Sequence, residues 1–257
     1  MHIAYTFVQI PCQTIDLTLF MSNIFFKFKK FTIVQDQCAM KVGTDGVLLG
    51  AWANIEECKH VLDIGTGTGL IALMIAQRNS KAIVDAIDID EQCVVQAKQN
   101  IESSPFAERV DVESISFQNF SQQDDKRYDL IVSNSPYFQN ALKSPNQSRN
   151  HARHNNSLSF LDIISQGIDL LSENGRIALI LPYEFKNTVI DHAAKFNLFA
   201  NRITNVFPLP HKPAKRLLIE FGQSELECVE DNLIIELARH QYTSEFKELT
   251  HDFYLDR

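Results

Sequence analysis

No CxxC pair occurs among the five cysteines, Cys12, Cys38, Cys58, Cys93 and Cys228, and their odd number argues against a fully paired disulfide framework. A reducing compartment, the cytoplasm, is the expectation. No apolar run approaches the roughly 20 residues needed to span a bilayer, so no membrane association is expected. The eight histidines fall at no metal-ligand spacing, and no metal is expected. Internal repeats, low-complexity tracts and long Pro/Gly-rich linkers are also missing, which removes the usual marks of a second globular domain.

Positive charge is in short supply. Lys and Arg number 24 against 32 Asp and Glu, for a net charge of −8, which counts against a nucleic-acid partner unless the cations are gathered. They are gathered, in Lys27, Lys29 and Lys30, in Lys143, Arg149 and Arg153 with His151 and His154 between, and in Lys212, Lys215 and Arg216. Each cluster alone reads as a solvated face. Lying outside the central sheet segments, the three could still converge on one rim.

What is present fits one α/β domain with modest decoration: 257 residues, 45% hydrophobic and 22% charged. Residues 1–23 stand apart, since Met1 to Phe20 is apolar yet has no basic n-region, contains Asp16 and lacks a small-residue cleavage site. A better-patterned segment begins at Met21. We expect Met21 to be the biological start and the leader before it, within 1–23, to be an over-extended reading frame; a native mass that includes Met1 would exclude this. The remaining 24–257 reads as a single domain with an N-terminal extension over 24–59, in which Phe25, Phe26, Phe28 and Phe31 are core or lid aromatics.

From His60 onward, short β-branched runs alternate with longer helical patterns, the signature of βαβ units on a parallel sheet. Strands are expected near His60 to Ile64, Ala82 to Ile87, Arg109 to Ile115, Tyr128 to Ser133, Gly175 to Leu181, Asn201 to Phe207 and Lys215 to Phe221, seven in all. Helical spacing appears at Leu70, Leu73, Met74 and Ala76, at Val94, Ala97 and Ile101, and from Leu158 to Leu171. Ser157 has the character of an N-cap, and Asn174-Gly175 that of a left-handed C-cap. The polar stretch Tyr137 to Asn156 reads as a loop.

Two motifs carry chemistry. Gly65-Thr66-Gly67-Thr68-Gly69 follows the strand ending at Ile64, and its glycines allow a ligand to approach the main chain where a β-carbon would obstruct it. The spacing is GxGxG and not the GxGxxG of dinucleotide enzymes, and Asp63 sits two residues before the first glycine. A carboxylate there would repel a pyrophosphate but tolerates a cationic sulfonium with an amino acid tail. At the end of the next strand, Asp88 is placed to accept hydrogen bonds from ribose hydroxyls, and Asp90 suits the cap of the following helix. The second motif, Asn134-Ser135-Pro136-Tyr137, follows the strand ending at Ser133 and suits a planar amine.

The glycine loop with these acids resembles class I S-adenosylmethionine-dependent methyltransferases, and Asn-Ser-Pro-Tyr resembles the Asn-Pro-Pro-Tyr signature of enzymes that methylate planar amines. Met40 to Gly50, Arg153-His154 followed by Leu158 to Phe160, Pro213 to Arg216, and the tail Tyr242 to Leu255 resemble the bacterial tRNA1(Val) adenine-N6-methyltransferase family. That resemblance implies a Rossmann-like fold with a seven-stranded, mainly parallel sheet flanked by helices. It implies S-adenosylmethionine as cofactor, methylation of the adenine just 3′ of the anticodon, and a tRNA anticodon loop as partner, without an obligate protein partner. Cofactor contacts then fall to Asp45, Asp63, Gly65, Thr66, Gly67, Gly69, Asp88, Asn119 and Asn134, with Asn119 standing where the family commonly has aspartate.

Catalysis by the tetrapeptide can be argued from atoms. The N6 lone pair of adenine is delocalised into the ring until both amine hydrogens are held by acceptors that favour a more tetrahedral nitrogen. Asn134 Oδ1 is one such acceptor; the family mechanism supplies the second from the main-chain carbonyl of Ser135, while Tyr137 stacks on the base. Ser135 replaces the family's proline, yet it keeps the carbonyl, and Pro136 still biases it towards extended backbone. Direct transfer of this kind needs no metal and no covalent intermediate. His151 and His154 suit a phosphate or loop contact better than general base work.

Two other readings stand beside this one. The same tetrapeptide methylates a glutamine side-chain amide in release-factor methyltransferases, which carry a separate helical substrate domain not evident here. A noncatalytic nucleoside-binding or RNA-binding module would keep the cofactor loop without turnover.

Overall fold

A computed structural model describes residues 24–123, 125–134 and 158–255. Ser135, Pro136, Tyr137, Ser157 and the basic residues Lys143, Arg149 and Arg153 lie outside these, as does the segment 1–23.

A hairpin of β1 (Phe25–Lys27) and β2 (Thr32–Val34) precedes helix α1 (Thr44–Trp52). The main unit follows as β3 (His60–Ile64), α2 (Leu70–Arg78), β4 (Ile83–Asp88), α3 (Glu91–Glu102), β5 (Val110–Ser114), α4 (Phe117–Gln123) and β6 (Tyr128–Ser133). Next come α5 (Phe160–Gly167), β7 (Leu171–Pro182), α6 (Lys186–Ala194), β8 (Phe199–Phe207), β9 (Arg216–Gly222) and β10 (Val229–Ile234). A short β11 (Glu236–Ala238) and β12 (Gln241–Tyr242) ribbon leads into α7 (Ser244–Thr250).

The central sheet has the order β10-β8-β9-β7-β6-β3-β4-β5, parallel except for the β7–β9 and β8–β9 pairs. All seven expected strands are present, and β10 makes an eighth. β10 pairs parallel to β8 at the sheet edge, and its residues Val229 to Asn232 are exposed. An edge strand of that kind lacks the apolar alternation by which strands are read from sequence.

Apolar side chains cover both faces of the sheet. One core joins the hairpin, α1, α2 and α7 to the sheet, and the other lies under α5 and α6. In the hairpin Phe28 and Phe31 are buried core residues, whereas Phe25 is 50% exposed. Trp52 ties α1 to the far half of the sheet, donating Nε1–H to Thr204 Oγ1 at 2.8 Å under the Arg202 guanidinium.

Two cap assignments are corrected. Within the described residues α5 is capped by Ser159, which forms a reciprocal capping box with Asp162. Asn174-Gly175 ends no helix. It lies inside β7, where the register against β6 shifts between Tyr128 and Leu130, and a β-carbon on Gly175 would stand 2.6 Å from the Tyr128 carbonyl oxygen. Close backbone approach at a bulge, not a left-handed cap, selects glycine there. The helix itself stops at Gly167, followed by a short 3-10 turn, Ile168–Leu170.

A candidate active site at the carboxyl edge of the sheet

Strand order reverses between β3 and β6, and ligands of open α/β sheets bind outside the carboxyl ends at such a switch point. Both sequence motifs open there. Ile64 pairs with Ser133 across the ladder, and Ser133 Oγ–H donates to the Ile64 carbonyl at 2.8 Å, so Gly65 and Asn134 leave the sheet as neighbours. Asn134 is half-buried. On its other side lies the first turn of α1, where a β-carbon on Gly46 would come 3.7 Å from Asn134 Nδ2.

Gly65, Gly67 and Gly69 have φ of 71°, 56° and 82°, the left-handed region that glycine enters without strain. The turn commits its own amides. Gly65 N–H and Thr66 N–H both donate to the Ile87 carbonyl, at 2.9 and 3.0 Å, Gly67 N–H donates to Asp88 Oδ2 at 2.8 Å, and Gly69 N–H donates to the Thr66 carbonyl at 3.0 Å. A loop whose amides point inwards in this way is not a phosphate nest.

Beneath the turn, Asp63 is fully buried. Its Oδ2 accepts the Thr66 hydroxyl at 2.7 Å, while Oδ1 has no hydrogen-bond partner among the described residues. Burial pushes the Asp63 carboxyl up to about 7 against the opposing pull of the Thr66 hydroxyl and the Ala72 main-chain N–H. A buried carboxylate whose single side-chain donor is one hydroxyl fits a ligand that brings a cation or an N–H group.

Asp88, at the end of β4, is half-buried. Its Oδ1 accepts the Asp90 amide at 2.9 Å. With one internal donor per oxygen, the carboxylate keeps further lone-pair capacity for two hydroxyls. Asp90 caps α3, accepting the Gln92 amide at 2.9 Å. Asn119 is exposed on the first turn of α4, beyond β5, so Gly65, Asp88 and Asn119 follow three neighbouring strands along one edge.

Asp45 occupies the first turn of α1, where Arg216 Nε–H donates to its Oδ2 at 2.7 Å. This pair bridges residues far apart in the chain and joins α1 to the start of β9. The sequence motifs contained both residues without indicating that they meet.

Several positioning residues have no motif at all. Asn100 on α3 holds β2 through the Val34 amide and carbonyl and also donates to the Thr68 carbonyl at 2.9 Å. Gln96 Oε1 accepts the Asp36 and Gln37 amides. Cys38 and Cys93 form a disulfide, and the Cys38 sulfur lies 3.8 Å from where a Gly67 β-carbon would stand. The odd cysteine count therefore conceals one bond, with Cys58 and Cys228 free among the described residues. These contacts bring the segment between β2 and α1 against the glycine turn.

Residues 42–190 match the methyltransferase small domain family. The chain is 50% identical over 236 residues to the tRNA1(Val) (adenine(37)-N6)-methyltransferase of Parabacteroides distasonis, covering 91% of this chain and 99% of that protein. The protein of the same name from Trichodesmium erythraeum is 47% identical over 232 residues, covering 90% and 97%. In fold, the structure is similar to a predicted O-methyltransferase from Agrobacterium tumefaciens, with a TM-score of 0.64, 19% identity, and coverage of 83% of this chain and 99% of that one. P. horikoshii TYW2 in complex with MeSAdo is similar at a TM-score of 0.54 and 13% identity, covering 80% and 74%.

Proposed function

Because the chain belongs to the tRNA1(Val) (adenine(37)-N6)-methyltransferase family, we infer that it transfers a methyl group from S-adenosylmethionine to the N6 amine of adenine in tRNA, at position 37 of tRNA1(Val). Among the described residues no helix is long and apolar enough to cross a membrane.

The observation that best supports the cofactor assignment is the contrast between the turn and the acid beneath it. Inward-committed amides give a diphosphate little to bind, while Asp63 offers a buried carboxylate oxygen lacking a side-chain donor. The family cofactor supplies an electrophilic methyl on a sulfonium and carries an ammonium group that such an oxygen suits. We assign Asp63 and Thr66 to the amino acid end, the backbone of Gly65, Gly67 and Gly69 to close approach, and Asp88 to the ribose hydroxyls. Asn119 is assigned to the adenine edge. Asp45 acts from the N-terminal turn of α1 through its pair with Arg216.

Asn134 is the proposed acceptor for one N6 hydrogen, with the Ser135 carbonyl as the second. Tyr137, after Pro136, is proposed to fix the plane of the base. Holding both hydrogens localises the nitrogen lone pair, and orientation within the site then carries the rate. The anticodon loop is the proposed binding element, because an unpaired loop base is extruded at lower cost than a duplex one.

Incubating labelled S-adenosylmethionine with bulk tRNA, bulk protein and DNA, followed by nucleoside analysis, tests the reading. N6-methyladenosine in a single tRNA is the expected product. Label in a release factor, or cofactor binding without turnover on any substrate, would overturn it.

A further inference from the structure

The sheet is not level at its carboxyl edge. Ser133, the last residue of β6, is level with Leu179 of β7, but β7 continues to Pro182, where it pairs with Arg216 at the start of β9. At roughly 3.3 Å per residue these extra positions raise the end of β7 about 10 Å above the strand that delivers Asn134. Tyr183 stands at the top, 38% exposed, and its N–H donates to the Lys215 carbonyl at 3.2 Å.

Next to Tyr183 runs the β8–β9 loop, which is held firmly. Pro208, Pro210 and Pro213 restrict its backbone. Lys215 N–H donates to the Val206 carbonyl at 2.8 Å, Lys212 N–H to the Leu209 carbonyl at 3.1 Å, and Glu236 N–H to the Pro208 carbonyl at 3.2 Å.

The charges around this step divide unevenly. Lys186, whose ammonium lies 5.9 Å from the Tyr183 ring centroid, is bound to Glu230 at 2.6 Å, and Arg216 is bound to Asp45. Lys212 and Lys215 are exposed and have no ion-pair partner among the described residues; on the acidic side, neither the exposed Glu184 nor Glu236, whose main chain bonds the same loop, forms an ion pair among them. Two uncommitted cations on a stiff loop beside an exposed aromatic ring form a composite surface suited to single-stranded nucleic acid, in which bases stack and phosphates are neutralised.

We propose that Tyr183, Lys212 and Lys215 form a docking step for the tRNA substrate, with Tyr183 stacking on a nucleobase flanking the target adenine and the two lysines contacting the phosphates on that side. This rests on the RNA reading above. The step supplies binding for the loop that presents the adenine and takes no part in methyl transfer. Prolines and backbone hydrogen bonds preset the lysine-bearing loop, so little order is lost when RNA arrives.

The test uses the full chain with in vitro transcribed tRNA, comparing the parent with Tyr183→Ala, Tyr183→Phe and the double variant Lys212→Gln/Lys215→Gln. Tyr183→Ala should weaken tRNA binding about tenfold, and Tyr183→Phe should restore most of it. The lysine double variant should reduce the slope of log affinity against log salt by about 1.4 to 1.8, from roughly 0.7 to 0.9 for each phosphate contact. The effect on methylation should fall on KM for tRNA, with S-adenosylmethionine affinity by calorimetry and thermal stability unchanged. Parent-like tRNA affinity and salt slope in all three variants would overturn the docking step. So would equal losses in Tyr183→Ala and Tyr183→Phe, which would mean that the ring does not stack. If the parent itself methylates protein and not tRNA, the RNA reading fails first, and the docking step with it.

Discussion

Replacing Asn134 by alanine is expected to lower the rate of methyl transfer to tRNA by about a hundredfold to a thousandfold, the scale of losing a preorganised polar group that acts in the transition state. Cofactor affinity should fall far less than the rate, because Asn134 is one of many expected cofactor contacts. Asn134 leaves β6 beside the glycine turn, but the Ser133–Ile64 hydrogen bond and the strand ladder fix that junction without the amide. Removing the amide takes away one acceptor for the N6 hydrogens, and the nitrogen lone pair falls back into conjugation with the ring. Alanine adds no atoms near Gly46, so the fold is not strained. Single-turnover transfer of labelled methyl, with calorimetry of cofactor binding on the same variant, measures both quantities. A variant that keeps a tenth of the parental rate would remove Asn134 from the role of acceptor.

The second large effect concerns pH. Asp63 rises from 3.8 to about 7 because burial disfavours its charge. With the folded value above the unfolded one, its contribution to stability of the ligand-free protein is fully present below the unfolded value and is lost as pH rises through about 7. At about 1.4 kcal/mol per pH unit, the whole change is on the order of 4 kcal/mol. Cofactor binding has the opposite sense, since an ammonium group favours the ionised carboxylate. Below about 7 the protein must release a proton to bind, and S-adenosylmethionine affinity should fall by up to about tenfold per unit as pH drops from 7 to 5. Calorimetric titration across that range checks the slope. Asp63→Asn should bind weakly with a flat profile, and a flat profile in the parent would show that Asp63 does not meet the charge.

Much of the candidate site is legible in the sequence because its parts are local. His60–Ile64 and Tyr128–Ser133 are short, mostly apolar and mostly buried runs, as strands covered on both faces are, and each leads into a motif of unusual composition. β10 is illegible because its exposed residues run Val229, Glu230, Asp231, Asn232 without apolar alternation, and only its pairing with β8 makes it a strand. Gly175 was misread because Asn-Gly has the same composition at a bulge as at a helix cap, and only the nearby Tyr128 carbonyl distinguishes them. The Asp45–Arg216 and Cys38–Cys93 contacts depend on how distant segments come together, information that no local pattern contains.

The place of β3 inside the sheet, third from the β5 edge, also orders events during synthesis. β3, β4 and β5 emerge before β6, so the cradle for the methyl donor can assemble while the strand that delivers Asn134 is still being translated. Until β6 arrives, the β6-facing edge of β3 has unpaired main-chain groups beside buried-type side chains such as Leu62 and Ile64. That open edge exposes the nascent chain to aggregation, and the half-made enzyme could hold its cofactor before it has anywhere to put an adenine.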